Sequence, residues 1–187
     1  MTCIAYPNSD TFETMNNSER ESLRAQLRDL YGLYRTALLS VKYYSFALTC
    51  WRIANKTIEI LLALGTTGTA WAIWKTEAGG YVWMIVAAAS AVLCLLKPIV
   101  RPSEKIEKFS SLRTSFSDLY YDIEAVVEDA KKRRNYTSEM DAKVRNARER
   151  MKQLATKEVP SPFKKLVCRF QREVNKQIVP KSLWWPN

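Results

Sequence analysis

Two long apolar stretches separated by a short polar connection constrain this chain more than anything else in it. Residues 58–74, IEILLALGTTGTAWAIW, contain one ionisable side chain, Glu59, and residues 81–96, YVWMIVAAASAVLCLL, contain none. As helices they extend about 24 to 26 Å, slightly less than a typical hydrocarbon core, and Thr57 with Pro98-Ile99-Val100 can supply the remainder. Membrane spans are therefore expected over 57–75 and 81–100. A large soluble domain could bury such a hairpin, but a chain of 187 residues has little other core in which to hide it. Trp71, Trp74, Tyr81 and Trp83 crowd around the connection at 75–80, while Tyr43, Tyr44 and Trp51 precede the first stretch. Aromatic rings so placed are expected at membrane–water boundaries.

The basic residues set an orientation. Lys42, Arg52 and Lys56 precede the first span and Lys97, Arg101, Lys105 and Lys108 follow the second, whereas the connection carries only Lys75, offset by Glu77. Both termini are therefore expected to be cytoplasmic. The opening MTCIAYPNSD has neither the basic nor the apolar region of a signal peptide, so the first span is expected to direct insertion. Cys3, Cys50, Cys94 and Cys168 are scattered, with no CxxC pair and no histidine in the chain. They read as free thiols, and no metal or other cofactor is expected.

The rest of the chain reads as helices. Residues 1–17 are expected to be a polar, poorly ordered lead-in, after which Ser18-Glu19-Arg20-Glu21 has capping-box spacing. Leu23, Leu27, Leu30, Tyr34, Ala37, Val41, Tyr44 and Leu48 then recur in alternating steps of four and three, a coiled-coil seam. Beyond the second span Pro102 suits the first turn of a new helix, whose seam is Phe109, Leu112, Phe116, Leu119, Ile123, Val126 and Ala130. A tight hairpin brings the membrane ends of these two helices together, so they are expected to pack antiparallel as a cytosolic stalk. The fold class is thus an all-α membrane protein in which a two-span hairpin continues into long amphipathic helices. Residues 18–131 form the hairpin with its stalk, and residues 132–187 a basic helical region.

The charge is concentrated in that last region. Residues 1–130 carry 13 Lys+Arg against 14 Asp+Glu and residues 131–187 carry 16 against 5, so the whole net charge of +10 comes from the end of the chain. Met140, Val144, Ala147, Met151 and Leu154 mark a helix over 138–157. After Ser161-Pro162, Phe163, Leu166, Val167, Phe170, Val174 and Ile178 mark a basic amphipathic one. Lys131, Lys132, Arg133, Arg134, Lys164, Lys165, Arg169 and Arg172 form the expected basic surface. Three roles fit it: a solvated helical face, adhesion to anionic headgroups with Trp184 and Trp185 as anchors, or binding of nucleic acid or a protein partner.

An enzyme is not expected. The commonest general base is missing, and no glycine-rich phosphate loop, GxSxG or grouped carboxylates replace it. Asp118 and Asp122, one turn apart, read as a solvated face. The first span holds the best-motivated site. Gly65 and Thr69 lie four residues apart, and Ala87-x-x-x-Ala91 in the second span repeats the small-xxx-small form, so close hairpin packing accounts for GTTGT. Glu59 and Thr66 share a helical face and fit a ring at the cytoplasmic mouth of an oligomeric pore; snorkelling of Glu59 toward Lys56 fits the carboxylate equally. One hairpin cannot enclose a channel, so a homo-oligomer is expected.

Two spans with a tight outer turn, a long amphipathic helix entering the first and another leaving the second resemble the SLATT family of bacterial two-transmembrane proteins. The residues that carry the likeness are LYGLYRTALLSVKYYSFALTCWRIANKTIEILLALGTTG, the hairpin to AVLCLLKPIV, and SLRTSFSDLYYDIEAVV, covering residues 20–130. The resemblance implies a pore-forming or membrane-disrupting effector of an antiphage or conflict system in the bacterial inner membrane, encoded with a nucleotide-signal synthase or a reverse transcriptase. The basic region after residue 131 departs from the minimal pattern of that family. A membrane-anchored coiled-coil adaptor that recruits a cytosolic partner is the alternative, and a holin-like phage protein is a third.

Overall fold

The computed structural model describes residues 16–72, 80–157, 164–179 and 183–185; the side chains at 65–72, 80, 82–84, 86, 87, 96, 99 and 164 fall outside that description. Every described element is an α-helix: α1 (Asn17–Ala72), α2 (Gly80–Val100), α3 (Pro102–Arg133), α4 (Ser138–Thr156) and α5 (Lys164–Gln177). Among the described residues, no helix is long and apolar enough to cross a membrane. The expected spans at 57–75 and 81–100 both include positions outside the described side chains.

Helix ends follow local chemistry. α1 starts at Asn17, and the Asn16 amide donates to Glu19 Oε2 at 3.2 Å. The reciprocal half of a capping box thus forms on Asn16–Glu19, two residues before the expected Ser18–Glu21, because Asn-x-x-Glu offers the same spacing earlier. Between α2 and α3 stands a single residue, Arg101, at φ 45°. Pro102 disfavours the right-handed helical conformation of the residue before it, so the chain breaks at Arg101 and restarts with proline in the first turn of α3. Pro98 lies inside α2. α3 ends at Arg133, and Arg134, at φ 47°, takes the left-handed position common after a helix C-terminus. Thr137 caps α4, its side chain accepting from the Met140 amide at 3.4 Å.

The chain divides into two compact units, Met1–Tyr43 with Leu112–Asn187, and Tyr44–Ser111. The basic C-terminal helices share a unit with the first half of α1 and most of α3.

The first unit has a closed apolar core. Leu27, Leu30, Phe116, Leu119, Ile123 and Val174 are fully buried, with Ala37, Leu112, Val126 and Ala130 around them. Burying each large side chain contributes roughly 1.5 to 3 kcal/mol relative to exposure. α4 adds Met140, Val144 and Ala147. It is tied to α1 by Arg148–Asp29 at 3.0 Å and to α3 by the Arg150–Asp122 ion pair. α5 and the tail lie along α1 in the opposite direction. Lys42 pairs with Glu173 at 3.0 Å, Arg35 Nη2 donates to the Ile178 carbonyl at 3.0 Å, and Tyr31 Oη donates to the Trp184 carbonyl at 2.7 Å.

The second unit has a different character. Tyr44, Leu48 and Phe109 are buried, with the Tyr44 and Phe109 rings 6.0 Å apart, and Ser90 Oγ of α2 donates to the Leu61 carbonyl of α1 at 3.0 Å. Around this narrow centre many of the described apolar side chains face outward. Leu95 is 73% exposed, Ile85 66% and Ile60 60%, and Ile53, Leu61, Leu64 and Val92 are exposed as well.

Candidate functional site

The apolar exterior of the Tyr44–Ser111 unit is the first candidate. On α2, Ile85, Val92 and Leu95 recur at seven and three residues and share one face. Ser90 lies off that face and is buried. On α1, Ile53, Ile60 and Leu64 recur at seven and four. Large aliphatic groups in this density are uncommon on the water-facing surface of a monomer. Ser90, which sequence reading passed over, ties the two helices through a hydroxyl-to-carbonyl bond. The only hint was a hydroxyl in an otherwise apolar stretch, and such groups are used between helices where water is scarce.

Glu59 is exposed and accepts a hydrogen bond from Asn55 Nδ2 at 2.8 Å, one turn back on α1. Asn55, unremarked in the sequence, is thus its described partner. Gly65, Thr66 and Thr69 lie in α1 and Ala87 in α2, with side chains outside the described set, while Ala91 is exposed. The expected close packing of GTTGT against Ala87 and Ala91 therefore falls outside the described residues. Trp51 is half-buried beneath Lys105, whose Nζ stands 4.5 Å from the ring centroid. Trp71 and Trp83 have side chains outside the description, and Trp74 lies wholly outside it.

The second candidate is the basic C-terminal region. Lys131, Lys132, Arg133 and Arg134 are exposed where α3 ends, with Lys132 pairing to Glu128 at 3.5 Å. Cations at that position also complement the negative end of the helix dipole. On α5, Lys165, Arg169 and Arg172 are exposed, Lys176 extends their stripe by one turn, and the Lys164 side chain is outside the description. Trp184 and Trp185 are half-buried and return to α1, where the Trp185 ring meets Tyr31 edge-on at 5.1 Å between centroids.

A polar cluster that sequence reading did not single out joins α1 to α3. Tyr34, Tyr120 and Glu124 meet through their oxygens. Burial, Tyr34 and Glu124 raise the Tyr120 phenol far above its ordinary value, and burial first raises that of Tyr34. Burial also pushes Tyr31 up to about 12, against the lowering effect of its bond to the Trp184 carbonyl, and burial with Asp141 pushes Tyr136 up to about 12. These hydroxyls remain protonated at neutral pH: Tyr34 and Tyr120 join α1 to α3, Tyr31 holds the tail to α1, and Tyr136 bonds locally to Asp141. Among the described residues no group of three or more His, Cys, Asp or Glu could hold a metal.

No protein-family model, curated protein or solved structure matches the chain.

Proposed function

We propose that the chain is a non-enzymatic, membrane-embedded effector of a bacterial conflict system, which oligomerises and permeabilises the inner membrane when a partner or nucleotide signal acts on its cytosolic helices. The observation that carries the membrane part is the contrast between the two units: one buries Leu27, Leu30, Phe116, Leu119, Ile123 and Val174, and the other presents Ile53, Ile60, Ile85, Val92 and Leu95 outward. Lipid is the cover that suits two adjoining helices with aliphatic faces and a serine bonded between them. The effector part rests on the likeness to the SLATT pattern. A change of a few kcal/mol in helix contacts of the closed unit would redistribute quiet and permeable assemblies.

The adaptor reading draws on a different feature, a groove of about 440 Å³ between α3 and α4 lined by Tyr121, Ala125, Val126, Ala147 and Arg150. Such a groove could seat a segment of a cytosolic partner.

Two measurements test the proposal. Membranes from expressing cells should retain the protein through a carbonate wash, and release into the supernatant overturns the membrane placement. Induction with a cognate trigger should depolarise the cells, and exchange of residues 57–100 for an unrelated two-span hairpin should abolish that response. An adaptor keeps its activity after the exchange.

A further inference from the structure

We infer that the outward face of α5 docks on the phosphate-bearing headgroups of anionic lipid. Lys165, Arg169, Arg172 and Lys176 recur at four, three and four residues, so they form one stripe roughly 16 Å long on an α-helix. All four are exposed, and none pairs with an acidic side chain among the described residues. Together with Cys168 and Glu173 they line an open groove of about 660 Å³. Glu173, the single acid of α5, is engaged by Lys42.

The stripe is held in place by the packing behind it. Val174 and Ile178 are buried, and Leu166, Val167 and Phe170 are half-buried. The contacts of Trp184 with Tyr31, Ile178 with Arg35 and Glu173 with Lys42 give α5 its direction along α1. The turn carrying Lys165 therefore points toward the end of its unit at which α1 passes Tyr43. The two tryptophans lie toward the other end, beside Tyr31. Among the described residues the exposed face of α5 offers no aromatic ring on which a base could stack, which is the usual means of holding single-stranded nucleic acid. What remains is an array of cations spaced for a phosphate-bearing surface, and each contributes roughly a 5-fold gain in binding at an anionic leaflet.

The inference deepens the proposed function and rests on its lipid placement. The test uses the full chain with Cys3, Cys50 and Cys94 replaced by alanine, leaving Cys168 to carry an environment-sensitive fluorophore beside the stripe. Protein is titrated with vesicles of phosphatidylcholine alone or of phosphatidylcholine and phosphatidylglycerol in equal parts. The fluorophore should become shielded from an aqueous quencher only with the anionic vesicles, and the shielding should fade toward 1 M salt, where the screening length falls to about 3 Å. The Arg169→Gln, Arg172→Gln pair should weaken it about 25-fold, while Arg169→Lys, Arg172→Lys preserves it and shows that the helix is still docked. Equal shielding by both vesicles, or no effect of the glutamine pair, overturns the inference. Shielding by a short oligonucleotide in place of the anionic vesicles overturns it in favour of nucleic acid. Retention through the carbonate wash is scored separately, so loss of membrane insertion is distinguishable from loss of headgroup docking.

Discussion

Tyr34 Oη lies 2.9 Å from Tyr120 Oη, and both hydroxyls approach the same carboxylate oxygen, Glu124 Oε1, at 3.0 and 2.8 Å. Three contacts share two phenolic protons, so the cluster depends on both phenols staying neutral. A phenol whose folded-state pKa lies above its unfolded value of 10.0 contributes stability that is fully present below that pH and lost as pH rises through the folded value. For Tyr31 and Tyr136 the window runs from 10.0 to about 12. Tyr34 and Tyr120 shift in the same direction. Tyrosinate absorbance should rise late for these four, together with loss of near-ultraviolet dichroism. Titration of all the tyrosines at the ordinary phenol value with the fold intact would refute this.

Phe116 sits at the centre of the closed unit with 1% of its surface exposed. Phe116→Ala should destabilise that unit by about 3 to 5 kcal/mol through lost burial and a cavity. Chemical denaturation of the full chain in detergent, followed by helical dichroism, measures the loss. A change below 1 kcal/mol, on the scale of a surface substitution, would mean that the core is not packed as described.

Gly32 is exposed in the middle of α1, and a Cβ built on it meets nothing within 4 Å. Gly32→Ala should therefore stabilise the protein by about 0.5 to 1 kcal/mol, because alanine has less backbone freedom to lose. The melting temperature should rise. A fall would reveal a close neighbour at this position.

Tyr31 holds the tail by a bond to the Trp184 carbonyl and a ring contact with Trp185. Tyr31→Phe keeps the ring and removes the donor. At about 0.5 to 1.5 kcal/mol for such a bond, exchange of the amides from Ile178 to Trp185 should quicken roughly 2- to 12-fold. Unchanged exchange would show that the tail is retained by other contacts.

The helical stripes were legible to different degrees. Every position of the α3 seam, from Phe109 to Ala130, is buried, because a single face in steps of three and four needs only one partner surface. In α1 the seam holds at Leu23, Leu27, Leu30, Ala37, Tyr44 and Leu48, with Tyr34 and Val41 half-buried. Tyr31 and Leu33, also buried, lie off that seam. Tyr31 is covered by the returning tail, a contact separated by more than 150 positions that no local periodicity records. The amphipathic pattern of α5 was equally clear, but an apolar stripe does not name its cover. Lipid and a neighbouring helix satisfy the same spacing, and Val174 and Ile178 are buried within the chain itself. Glu59 stood out as a lone acid, while Asn55, its partner, carries no charge to draw notice.

Glu173 is the only carboxylate on α5, and Lys42 occupies it. To its surroundings the helix therefore displays one sign of charge, and two such helices brought face to face repel. Dissolved electrolyte damps that repulsion, so two such faces approach more easily as ionic strength rises.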